Sequence, residues 1–153
     1  MSTQTVRDRC TIREAAVLTG LPASTLRYYE SIGVIAPVGR GASSGHRVYT
    51  GADLDQITWV ACLAATGMSV GDMRSYVANG RLGPDAAGEQ VELLEAQRER
   101  LALEAQQLEL RARYVELKVR YWQAVQAGDA DQVDLLSREA RALADELTRA
   151  KQH

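Results

Sequence analysis

Up to Gly80 the apolar positions fall into short runs separated by glycine, proline and hydroxyl residues. After it they settle into one long periodic pattern. Met1 to Cys10 is polar and without period, which reads as a flexible N-terminus over residues 1–10. Thr11-Ile12-Arg13-Glu14 then places a Thr three residues before a Glu, so that each side chain can satisfy a free backbone amide at a helix start. That helix is expected to reach about Leu18 and to end at Gly20. Pro22 suits the first turn of a second helix, which runs without a breaker through Ala23–Ser31 and stops at Gly33. Two short helices joined by Thr-Gly-Leu-Pro form a helix-turn-helix.

Val34–Val38 and His46–Tyr49 flank a Gly/Ser-rich stretch, Gly39 to Gly45, and predict a hairpin directly after the helix pair, a wing. Asp53 predicts a helix to about Thr66, closed by Gly67, and Ser69 a shorter one finishing at Asn79-Gly80. A winged domain over residues 11–80 follows.

Between Asp85 and Ala127 there is no proline. With Val91 as position a, alternate steps of three and four residues reach Leu94, Arg98, Leu101, Ala105, Leu108, Ala112, Val115, Val119 and Trp122. Nine of these ten positions are apolar or Ala, which is the seam of a coiled coil and predicts a dimerisation helix over residues 85–127. At 1.5 Å per residue such a helix is roughly 63 Å long and cannot bury its seam alone. A second row, Leu103, Leu110 and Leu117, lies on another face. After Gly128-Asp129, the positions Val133, Leu136, Ala140, Leu143 and Leu147 repeat the three-four step, so a C-terminal helix over 130–150 is expected to fold back onto that second row. A tail that runs straight on or lacks order is the alternative. The fold class is therefore mainly α: a winged helix-turn-helix domain, a long coiled-coil dimerisation helix and a short C-terminal helix.

Composition changes this picture in two places. The 153 residues carry a net charge of −2, which does not advertise a nucleic-acid binder. Divided, however, Met1 to Thr50 has six arginines against three acids, whereas Arg81 to His153 has eleven basic against fourteen acidic residues. The basic end and the acidic end have different jobs. The longest uncharged stretch, Gln56 to Gly71, is 16 residues and polar in part, so no membrane helix is expected, and without a signal-like start the chain is expected to be cytoplasmic. Two cysteines, Cys10 and Cys62, and two histidines supply no metal-ligand cluster, so neither a metal nor another cofactor is expected. No nucleophile–base set or phosphate-cradling loop is present, and an enzyme is not expected.

Thr25-Leu26-Arg27-Tyr28-Tyr29-Glu30, then Ile32-Gly33-Val34-Ile35, Arg40 and Gly45-His46-Arg47-Val48-Tyr49, closely resemble the MerR family of transcription regulators. The resemblance runs from about Thr11 to Gly128, leaves out the tail, and departs at His46, where many members have Tyr. It implies a homodimer, joined by an antiparallel pair of long helices, on inverted-repeat double-stranded promoter DNA. Such a dimer distorts the promoter and so acts on RNA polymerase indirectly. The residues fit that task physically. A helix enters the major groove, and Ser24 and Thr25 near the start of the second helix are small enough to approach base edges or phosphates. Arg27 offers a charged fork and Tyr28 a phenolic donor, while Tyr29, about 100° further round, is assigned to packing. Arg40 and Arg47 are phosphate or minor-groove candidates, Tyr49 resembles the family's phosphate-contacting tyrosine, and Thr11 is either a phosphate ligand or only a cap. The bland reading makes Arg27 a surface partner of Glu30 or Glu14. Dimerisation is assigned to Leu94, Leu101, Leu108, Val115, Val119 and Trp122.

The effector follows less directly. Metal-sensing and iron–sulfur members carry cysteines that this chain lacks, and 25 residues after Gly128 are too few for a drug-binding domain. Trp59 to Ser69 with Met73 to Val77 is similar to the subgroup that responds to aldehyde, electrophile or thiol stress, which makes Cys62 a candidate thiol sensor. Its competing reading is a buried apolar filler beside Trp59 and Leu63. For the whole chain the competing reading is a coiled-coil adaptor that uses the winged helix as a protein-interaction module.

Overall fold

The computed structural model describes residues 9–151, which divide near Leu94 into two compact units. In chain order the elements are β1 (Arg9–Cys10), α1 (Ile12–Thr19), α2 (Ala23–Ser31), β2 (Tyr49–Thr50), α3 (Gly51–Ala65), α4 (Val70–Leu82), a 3₁₀ turn (Gly83–Ala86), α5 (Ala87–Ala127) and α6 (Ala130–Ala150). No helix among the described residues is long and apolar enough to cross a membrane.

The helix-turn-helix is built by local chemistry. Thr11 Oγ1 accepts the Glu14 amide at 3.3 Å and Glu14 Oε2 accepts the Thr11 amide at 2.8 Å, closing the capping box of α1. Gly20, at φ +74°, ends the helix by donating its N–H to Ala16. A side chain at that left-handed φ would be strained, so the glycine fixes the turn into α2. α1 and α2 bury Ala15, Leu26 and Tyr29 in a core shared with Ile57, Val60 and Met73 from α3 and α4.

Three expectations are corrected in this unit. Residues 1–8 lie outside the described residues, but Arg9 and Cys10 form β1, antiparallel to β2 with Cys10 opposite Tyr49, and Cys10 is buried. The wing exists, although Val34–Val38 is no strand. Its amides go elsewhere: Val34 and Ile35 to Tyr29 O, Ala36 to Gln56 Oε1 and Val38 to Glu30 Oε1. Pairing between the wing's limbs is confined to one bridge, Arg40 opposite Arg47, with Gly41 N to His46 O and Val48 N to Gly39 O beside it. Finally, α3 starts at Gly51, because Thr50 caps it and Asp53 is the third helical residue of the box, and α4 passes Gly80 to end at Leu82 before Gly83 at φ +69°.

In the second unit the chain leaves α5 through Gly128, at φ +72°, and Asp129 caps α6 by accepting the Gln132 amide at 3.1 Å. α6 returns along α5: Leu110 and Leu147 line one groove, Leu117 and Leu143 another. Leu136, Ala140 and Leu143 of α6 are buried, as is Ala124 of α5. On another face of α5, Leu101, Leu108, Val115, Val119 and Trp122 are 40–64% exposed, and Leu103 of the second row is exposed too. Leu94, in the first unit, is also exposed.

Candidate nucleic-acid interface

The first unit carries a cleft of about 640 Å³ between the start of α1, the body of α2 and the wing. Five guanidinium groups line it: Arg9 from β1, Arg13 from α1, Arg27 from α2, and Arg40 and Arg47 from the two limbs of the wing. Glu14 is the one carboxylate in the lining, and it is held by the Thr11 amide. Cys10, Ile12 and Val48 provide an apolar floor, with Ser44 and His46 at the wing end. A concave surface with five positive groups and one engaged carboxylate attracts phosphate and disfavours basic partners.

Of the sequence-predicted residues, Thr11, Arg27, Arg40 and Arg47 come together here. Arg27 is exposed and makes no ion pair among the described residues, so it is partner to neither Glu30 nor Glu14. Thr11 already uses its N–H and hydroxyl oxygen in the capping box, and the Glu14 carboxylate stands at the helix start where an anion would dock. Ser24 is exposed, Thr25 half-buried and Tyr28 52% exposed on α2, beside but outside the cleft lining. Tyr28 and Tyr29 have ring centroids 6.2 Å apart, with Tyr29 buried.

Tyr49 is a correction. Its side chain is 0% exposed, and its hydroxyl has no hydrogen-bond partner among the described residues. Burial pushes its pKa above the ordinary 10.0 against the opposing pull of Arg47. In this conformation it packs the core and reaches no phosphate.

Arg47 differs from the other four arginines. Its Nε donates to Glu30 Oε2 at 2.7 Å, with the two side chains only 23% and 16% exposed. Burial works against the Glu30 charge, but hydrogen bonds from Arg47 and the Val38 amide, with the attraction of Arg47 and Arg40, outweigh it and hold the carboxyl below its usual range. Arg40 Nη1 donates to Gly45 O at 3.0 Å, bracing the wing tip while staying exposed.

Sequence reasoning missed Arg9, Arg13, Ser44 and His46 as cleft residues. Arg13 was readable only as part of a capping box, and Arg9 fell in a segment without period. The place of Arg9 depends on β1 pairing with β2. Cys62, on α3, is exposed, which removes its reading as a buried filler, whereas Cys10 is buried with its thiol pushed up first by burial and then by Glu14 and Asp53.

Residues 10–79 match the model for MerR HTH family regulatory proteins. An uncharacterized HTH-type transcriptional regulator of Haemophilus influenzae is 34% identical over 91 residues, 60% of this chain and 67% of that protein. The curated relatives are matched over 49% to 67% of their own length. Among solved structures, HiNmlR, a MerR family regulator lacking the sensor domain and bound to promoter DNA, is similar with a TM-score of 0.62 and 30% identity over 78% of this chain and 94% of that one. A MerR family regulator from Listeria monocytogenes is similar with a TM-score of 0.67 and 27% identity over 85% of this chain and 98% of that one. With the helix pair, the wing and every arginine of the cleft but Arg9 falling inside the matched segment, the chain belongs to the MerR HTH family of regulatory proteins.

Proposed function

We propose that this protein is a transcription regulator that binds inverted-repeat promoter DNA as a homodimer and switches transcription by distorting that DNA. The observation that carries the reading is the arginine cleft beside the exposed face of α2. With α2 in a major groove, Ser24, Thr25, Arg27 and Tyr28 face bases and backbone, while Arg9, Arg13 and Arg40 meet the flanking phosphates. The seam of Leu94, Leu101, Leu108, Val115, Val119 and Trp122, exposed on the single chain, receives the same seam of a second copy and spaces the two recognition helices. Bending a site of 20–30 bp costs on the order of 1–6 kcal/mol, within what a second set of phosphate contacts returns, so RNA polymerase feels the regulator through promoter shape.

Reactive aldehyde, electrophile or thiol stress enters through Cys62. The thiol is exposed on α3, and that helix is tied to the base of the wing by Gln56 Oε1, which accepts the Ala36 amide at 2.9 Å. A group added at Cys62 therefore perturbs an element that touches the wing. Two experiments test the reading. In-vitro selection with the wild-type protein should recover an inverted repeat that Arg27→Ala binds more weakly; failure to enrich any duplex would sink the DNA-binding assignment. Promoter activation by aldehyde should be lost in Cys62→Ser, and normal activation in that variant would remove Cys62 from the mechanism.

A further inference from the structure

Five arginines line the cleft, and their surroundings divide them. Glu30, near the end of α2, receives hydrogen bonds from both limbs of the wing: the Val38 amide to Oε1 at 3.3 Å and Arg47 Nε to Oε2 at 2.7 Å. One part-buried carboxylate thus joins the recognition helix to the incoming limb and to the outgoing one. A charge-assisted bond of that length between two mostly buried side chains is among the stronger ones available to a surface domain. Drawing Arg47 away to a phosphate would leave the part-buried Glu30 charge with only the Val38 amide and the weaker attraction of Arg40. The pair is also electrically neutral, so it contributes no net positive charge to displace counterions from DNA.

Arg13 has the opposite surroundings. It lies in the first turn of α1, exposed, makes no hydrogen bond or ion pair among the described residues, and lines the same cleft. Within the DNA-binding reading above, we propose that Arg47 is a positioning residue which, with Glu30, forms a strut setting the wing against α2, and that Arg13 is a phosphate-neutralising contact. The wing is held at a fixed distance from the recognition helix before DNA arrives. This is why a segment whose own limbs share a single bridge keeps its place.

Two measurements separate the roles. Without DNA, amide hydrogen exchange at Val48 and Gly41, whose N–H groups join the wing's limbs, should speed up about tenfold in Arg47→Gln, the effect of losing one charged hydrogen bond, and stay at the wild-type rate in Arg13→Gln. With DNA, binding to a fluorescein-labelled duplex selected by the wild-type protein is followed by anisotropy across a range of KCl concentrations. Arg13→Gln should reduce the slope of log K against log[KCl] by about 0.9 per protomer. Arg47→Gln should weaken binding about tenfold with the slope unchanged, because the wing is displaced but no phosphate contact is lost. A slope reduced equally by Arg47→Gln, or wing exchange that ignores that substitution, would overturn the strut. A wild-type protein that binds no duplex defeats the DNA-binding reading and the role of Arg13 with it, while the exchange measurement still judges Glu30 and Arg47.

Discussion

Replacing Tyr49 by Phe should stabilise the protein. Tyr49 is 0% exposed, and its hydroxyl is buried without a hydrogen-bond partner among the described residues. Folding therefore strips water from that hydroxyl and returns nothing, at a cost of about 1–3 kcal/mol on the scale of protein substitutions. Phe keeps the ring in the core and removes the polar atom. The void left by one oxygen, roughly 10 Å³ at about 24 cal/mol per Å³, costs only about 0.2 kcal/mol. The net gain is about 1 kcal/mol, or about 2–4 °C in Tm for a chain of this size. Thermal unfolding followed by circular dichroism reads it, with wild type and variant at the same concentration, since association couples to stability.

The alkaline limb gives a second, independent readout. Burial holds the folded Tyr49 pKa above 10.0. Below pH 10 both states keep the phenol neutral; above it the unfolded chain ionises while the folded one resists, so wild-type stability falls as pH rises. Tyr49→Phe lacks that loss, and the gap between the two proteins should widen above pH 10. The same variant should bind its selected duplex with unchanged affinity. A lower Tm would mean that the hydroxyl has a partner in the core. Loss of DNA affinity with Tm unchanged would mean that Tyr49 leaves the core to meet a phosphate, as the family resemblance implies.

Three further outcomes are expected. Under native conditions a thiol reagent should label Cys62 quickly and Cys10 only on unfolding, because Cys62 is exposed and Cys10 is buried with a raised pKa; two fast thiols would contradict the β1–β2 pairing. Leu108→Glu should turn the proposed dimer into a monomer in sedimentation, since it places a charge on the exposed seam, and an unchanged sedimentation coefficient would rule out that seam as the interface. Glu30 has a pKa below its ordinary 4.5, so its contribution is present above that value and is lost as pH falls through the folded pKa. The protection of the wing amides, taken as exchange relative to the intrinsic rate at the same pH, should therefore fall below pH 4.5 in the wild type, and a Glu30→Gln variant should be poorly protected at every pH.

What was legible in the sequence was local. The capping box at Thr11 and Glu14 spans four residues, and Gly20 announces its left-handed turn by type alone, so α1 and its end could be read directly. The long helix declared itself by period. What escaped reading depends on partners far along the chain. The strand expected at Val34–Val38 has the right residue types, but its amides find the end of α2 and the side chains of Gln56 and Glu30, so no strand forms. β1 is a two-residue strand whose partner lies about forty positions away, and nothing in Arg9-Cys10 points to it. Cys62 is an intermediate case. α3 buries Ile57 and Val60, and Cys62 stands about 200° from Val60 on the helix, so its exposure was open to a helical wheel.

The charge count was the least faithful guide, because it treats the basic end as a sum. Six arginines against three acids suggest a general attraction for phosphate. Arg7 lies outside the described residues, and Arg47 is neutralised by Glu30. Arg9, Arg13, Arg27 and Arg40 are left without a carboxylate partner among the described residues, and all four line one cleft. In the proposed dimer, four such contacts on each of two protomers, at about 0.9 per contact, give a salt slope of about 7. Counting Arg47 would raise that figure to about 9, a difference that a titration resolves. The strut therefore trades electrostatic reach for geometry: the wing gives up one cation to hold still, and the affinity it forgoes is the sequence-independent kind. For the proposed regulator, which would have to distinguish one promoter from a genome of other phosphates, a fixed wing with fewer free charges favours selectivity over attraction.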